Sequence, residues 1–156
     1  MSAVYEEIIE GETLRRGIPG ARHEKICELL HARVATALAG NSTARLLSPR
    51  SVVQLSAGTM FRPDLALVTA ATGKLWLAAE IVNSGDHQPD TVLKKGIYEQ
   101  FKVPRLWMID PRYDNVEIYH ATEYGLALRR ILANKEILEE TLLPNFQIRI
   151  ADLFTG

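Results

Sequence analysis

The chain is expected to fold as an α/β domain, a mixed sheet with helices packed against it. Three observations point there. From Ala21 to Leu38, Ile26, Leu29, Leu30, Val34 and Leu38 recur at spacings of three and four, the pattern of an amphipathic helix. Two later runs, Asp64-Leu-Ala-Leu-Val68 and Leu75-Trp-Leu-Ala-Ala-Glu-Ile-Val82, are apolar on both alternating faces, as central strands covered on two sides are. Beyond them, Leu93, Ile97 and Phe101 form an apolar helical stripe that can dock on the sheet, followed by the apolar stretch Val103 to Ile109.

The 156 residues, of which 47% are hydrophobic and 24% charged, read as one domain spanning 1–156 with an ordinary globular balance. The single cysteine, Cys27, excludes an internal disulfide and suits a reducing cytoplasm. It falls in the helical pattern and reads as a packing residue. The N-terminus lacks the basic and apolar regions of a signal peptide. No apolar run approaches the ~20 residues needed to cross a membrane. The net charge is −1, so bulk charge offers nucleic acid no attraction; phosphate affinity must come from a local basic patch or a bound cation.

Taken in order, residues 4 to 16 alternate loosely around Glu10-Gly11 and predict two short strands joined by a turn. Glu7, Glu10 and Glu12 read as solvent-facing strand residues. Gly17 to Gly20 is a loop, and the 21–38 helix ends at Gly40-Asn41. His23 stands in its first turn, most simply as a surface or capping residue, and is retained as a weaker site candidate. Ala44–Leu47 and Ser51–Leu55 predict short strands across a hairpin-like break at Ser48-Pro49-Arg50. After the helix of 91–101 come the strand 103–109 and further strands at 116–120, 127–133 and 136–138.

The chemistry concentrates between Phe61 and Tyr98. Asp64 and Glu80 place two carboxylates on otherwise apolar strands, a costly arrangement unless they are paired or bind a cation. In alternation, Asp64 joins Ala66 and Val68, while Glu80 joins Trp76, Ala78 and Val82. Asp90, Lys94 and Tyr98 lie four apart on the next helix, and the Lys94 stem can carry its ammonium to the sheet edge. Each residue alone has a plain reading: an exposed acid, a salt-bridged carboxyl, a solvated lysine. Together they match a divalent-metal phosphodiesterase site, because Mg²⁺ takes oxygen ligands and usually one or two carboxylates. His87 and Asp90, three apart, form a weaker candidate for a transition metal, and a capping or turn role suits them better.

The ordered set Asp64…Glu80-Ile-Val-Asn-Ser, Asp90-x3-Lys94-x3-Tyr98 and Val103-Pro-Arg-Leu-Trp-Met-Ile-Asp110-Pro111 resembles the Uma2 family of endonucleases, within the PD-(D/E)XK nuclease superfamily. Tyr5 to Glu12 resembles that family's opening, so the likeness covers roughly residues 4 to 120. It implies a restriction-endonuclease-like core and Mg²⁺- or Mn²⁺-dependent hydrolysis of DNA. Asp64, Glu80 and the Ile81 carbonyl would hold the metal, and Lys94 would be the catalytic cation. One of Glu7, Glu10 and Glu12 would have some chance of lining the site, and a homodimer is compatible with the family. Two residues after Glu80 stands Val82 where the superfamily motif has lysine; the family likeness moves that lysine to Lys94, with Lys95 as a neighbouring competitor. A non-catalytic member binding nucleic acid or a protein partner is the alternative, since fold does not fix activity.

Overall fold

The computed structural model of the protein describes residues 4–83 and 89–155. It opens on a hairpin, β1 (Val4–Ile9) and β2 (Glu12–Gly17), with Ile9 opposite Glu12. Both turn residues have positive φ, 49° at Glu10 and 83° at Gly11, the backbone that matches a two-residue loop to the strands' right-handed twist. Helix α1 (Ala21–Leu38) follows, with the bounds its periodicity predicts, and buries Ile26, Cys27, Leu30, Val34 and Ala37. Full burial of Leu30 and of Val34 stabilises by about 1.5–3 kcal/mol each.

Next come β3 (Ala44–Leu46), β4 (Val53–Ser56), β5 (Thr59–Phe61), β6 (Leu65–Thr69) and β7 (Leu75–Ile81). The expected hairpin between the first two does not form: β3 pairs with β6, and β4 with β5 in another sheet. The break does not fold the chain back on itself. Leu47 N donates to Ala66 O and Arg50 N to Pro63 O, so the segment runs beside the start of β6 and on into the second sheet.

A π-helical turn, Pro89–Lys94, runs directly into α2 (Lys95–Gln100), where the sequence predicts one regular helix. Across this turn Asp90, Lys94 and Tyr98, four apart, form the buried face. Leu93 is 48% exposed rather than part of the docking stripe, while Ile97 and Phe101 do pack inward. Strands β8 (Arg105–Asp110), β9 (Asn115–Thr122), β10 (Gly125–Ala133), β11 (Ile137–Glu140) and β12 (Leu143–Arg149) lead to α3 (Ile150–Phe154).

The main sheet has the order β10-β9-β8-β7-β6-β3, and a four-stranded sheet the order β2-β1-β5-β4. β7 and β8 pair in parallel, which requires the crossover through α2. Strand β7 is buried along its whole length, because both of its faces carry a core. On one side α1 and the β11–β12 hairpin cover Leu65, Leu67, Leu77, Ala79, Ile81 and Trp107. On the other, Phe61 and Tyr98 cover Ala66, Val68, Ala78 and Val82. Simple alternation assigns Trp76 to the second set, yet it packs in the first. A β-bulge explains this: Val68 faces Leu75 and Leu67 faces Leu77, leaving Trp76 as the extra residue. Among the described residues no helix is long and apolar enough to cross a membrane.

Candidate active site

Asp64 sits immediately before β6, and Glu80 lies near the end of β7. The antiparallel register pairs Leu65 with Ala79, so Asp64 and Glu80 are the next residues across from each other. Both are nearly fully buried, at 3% and 2% exposure.

Asp64 is held from the α1 side. Its Oδ1 accepts from Arg50 Nη1 at 3.0 Å, and its Oδ2 accepts from the Ile81 amide at 2.8 Å. His23 Nε2 donates to the Ile81 carbonyl at 2.9 Å and lies 3.5 Å from Asp64 Oδ2. One turn on, Cys27 Sγ reaches the Asp64 carbonyl at 3.5 Å, and His31 Nε2 donates to the same oxygen at 2.7 Å. Burial disfavours the Asp64 carboxylate, but His23 and the Ile81 amide outweigh it and hold the group below its ordinary range. Burial also opposes charge on His23, and Asp64 overcomes it, so the imidazole is raised.

Glu80 looks to the opposite core. Its Oε2 accepts from Tyr98 Oη at 2.5 Å and lies 2.6 Å from Lys94 Nζ. Lys94 is fully buried, donates also to Glu7 Oε2 at 2.6 Å, and has the Phe61 ring 4.8 Å away. Burial pushes Glu80 up, Lys94 holds it back, and Glu7, Asp90 and Asp64 push it further, to about 8. For Lys94 burial favours the neutral form, but Glu80 and Glu7 overcome it and keep the ammonium charged. Lys95 points elsewhere, with Nζ 4.4 Å from the Tyr119 ring centre.

Two residues enter this network against the reading from sequence alone. Glu7 is fully buried, not solvent-facing, and Arg16 of β2 is buried with it; Glu10 and Glu12 are exposed as expected. The strand pattern alone reads Glu7 as solvent-facing, because its partner Lys94 lies 87 positions away; only the family likeness gave one of Glu7, Glu10 and Glu12 some chance of lining the site. Arg50 gave no signal. The α1 stripe did: His23, Cys27 and His31 are four apart and so share a face. Of the weaker His87 and Asp90 pair, His87 lies outside the described residues, and Asp90 is ion-paired to Arg16 at 2.8 Å.

Among the described residues no group of three or more His, Cys, Asp and Glu side chains is gathered as a metal site would be. Asp64, Glu80 and the Ile81 carbonyl all offer the oxygen a hard cation takes, but here Asp64 is engaged from the α1 side and Glu80 from the Tyr98 side, so the two carboxylates are not turned to one point. All three are engaged here: Asp64 by Arg50 and the Ile81 amide, the Ile81 carbonyl by His23, and Glu80 by Tyr98 and Lys94. A cavity of about 200 Å³ opens beside them, lined by Gly20, Arg22, His23, Val82 and Asn83. A groove of about 640 Å³ between β10 and the β11–β12 hairpin is larger but lies away from these acids.

The mixed six-stranded sheet with helices packed against it is a restriction-endonuclease-like fold. A solved structure bears this out: a putative nuclease belonging to DUF820 from Anabaena variabilis aligns over 96% of this chain and 89% of its own, with a TM-score of 0.78 at 15% identity. The chain itself belongs to the Uma2 family, described as "Putative restriction endonuclease", whose sequence profile matches residues 4–151. No curated protein matches the sequence.

Proposed function

We propose that the protein is a Mg²⁺- or Mn²⁺-dependent endonuclease that hydrolyses DNA phosphodiester bonds. The observation that carries this reading is Lys94: a fully buried ammonium 2.6 Å from Glu80, on the element that follows the acid strand. Burying a charge so completely is costly, and Glu7 and Glu80 offset that cost by pairing with it. Asp64, Glu80 and the Ile81 carbonyl would hold the cation, which when bound supplies charge neutralisation at phosphate and a more acidic water. Arg50 and His23 would yield Asp64 and Ile81 to it. Lys94 would keep one fixed positive charge beside Glu80, where it can stabilise negative charge that grows on the phosphoryl oxygens. Tyr98 fixes the Glu80 carboxylate through its hydroxyl.

Cleavage of plasmid DNA across metals tests this. Lys94→Ala should lower Mn²⁺-supported cleavage by roughly a hundredfold, with substrate binding changed much less. Lys95→Ala should stay near wild type, because Lys95 packs on Tyr119. Asp64→Ala should remove Mn²⁺ binding in calorimetry. Equal activity in the two lysine variants would reject the role of Lys94. The hold of Arg50 and His23 on Asp64 and Ile81 favours a second reading, a non-catalytic binder of nucleic acid or protein. Retained binding without cleavage under any metal would establish it.

A further inference from the structure

We propose that Arg16 is a positioning residue for Lys94, holding both ends of the element that carries it; this rests on the nuclease reading of Lys94. Arg16 is 4% exposed on β2. Its Nη1 donates to Glu7 Oε1 and its Nη2 to Asp90 Oδ1, each at 2.8 Å. The hairpin register places Arg16 opposite Tyr5, one alternate position from Glu7, so the two side chains share a face.

Each carboxylate is then used a second time. Glu7 Oε2 accepts from Lys94 Nζ at 2.6 Å and from the Arg62 amide at 2.7 Å. Asp90 lies in the same π turn as Lys94, and its Oδ2 accepts from the Asn83 amide at 3.3 Å. One guanidinium therefore fixes the ammonium through Glu7 and the start of its turn through Asp90. Without it, Glu7 keeps only Lys94 as its cation and the buried Asp90 carboxylate loses its ion pair. A lysine supplies one point charge and no fork, so it cannot bridge both carboxylates in the same way.

The test compares the full-length wild type with Arg16→Met, Arg16→Lys and the double variant Arg16→Met/Asp90→Asn. The first readout is acylation of individual lysines, followed by mass spectrometry, with Lys95 as reference. Lys94 should resist in the wild type, and in Arg16→Met its relative rate should rise by roughly tenfold through local opening. The second readout is Mn²⁺-supported plasmid cleavage, where kcat should fall by roughly a hundredfold and KM by less than about threefold, as misplacement of a catalytic group does. Removing the Asp90 charge together with the arginine leaves no carboxylate buried without its ion pair, so the double variant should recover part of both losses. Arg16→Lys should fall between wild type and Arg16→Met, and it carries the test if Arg16→Met fails to fold. Unchanged Lys94 protection, or a double variant no better than Arg16→Met, would overturn the proposal. If the wild type cleaves nothing with any metal, the nuclease reading fails, and the acylation ratios alone decide whether Arg16 holds Lys94.

Discussion

Glu80 is the residue at which burial and charge pull hardest in opposite directions. Its carboxyl is pushed from an ordinary 4.5 to about 8, by burial first and by Glu7, Asp90 and Asp64 against the pull of Lys94. The folded protein thus holds this proton more tightly than the unfolded chain does. The stability this contributes is complete below about pH 4.5 and is lost as pH rises through about 8. Glu80→Gln has no such proton to lose. Its melting temperature in chelator should gain on wild type steadily across that window, measured by thermal melts at a series of pH values. A variant that instead loses ground as pH rises would mean that the ionised Glu80–Lys94 pair is a net stabiliser. The same raised value predicts proton release when Mg²⁺ binds near neutral pH, visible in calorimetry as a heat that changes with the buffer's ionisation enthalpy.

Among the elements, those with a strong internal pattern were legible and those defined by a partner were not. Helix α1 carries its own periodicity and capping glycines, so both ends could be read from residues 21 to 38. Strand β7 announced itself by two apolar faces. The bulge at Trp76 left no local trace, because it is a property of the β6–β7 pair. The same holds for β3 and β4, whose neighbours come from different sheets. The acids at 64 and 80 stood out against apolar surroundings, whereas Glu7 and Arg16 looked like ordinary charged residues of an exposed hairpin. That hairpin depends on its turn. Gly11 has φ 83°, so Gly11→Val should cost about 1–2 kcal/mol in backbone strain. In a chain of this size the melting temperature should drop by about 2–4 °C for each kcal/mol. An unchanged melting temperature would show that the turn can be rebuilt without positive φ.

At the scale of the whole molecule, a net charge of −1 means that the DNA binding proposed above would rest on local cations. Duplex binding followed by fluorescence anisotropy should therefore be weak in chelator and strengthen on adding Ca²⁺, which supplies charge at the acids. Affinity that is equally strong in chelator would mean that side chains alone bind the backbone. The wiring of the site has one more consequence, for the order of folding. Lys94 finds Glu7 across 87 positions, and Arg16 finds Asp90 across 74. The β1–β2 hairpin is local and can form within microseconds, but closing it onto the π turn carries the loop entropy of about half the chain. These contacts belong on the native side of the folding barrier. Conservative changes at Glu7 and Arg16 should speed unfolding while leaving the refolding rate nearly untouched, so that the last part of the molecule to assemble is also the first to let go.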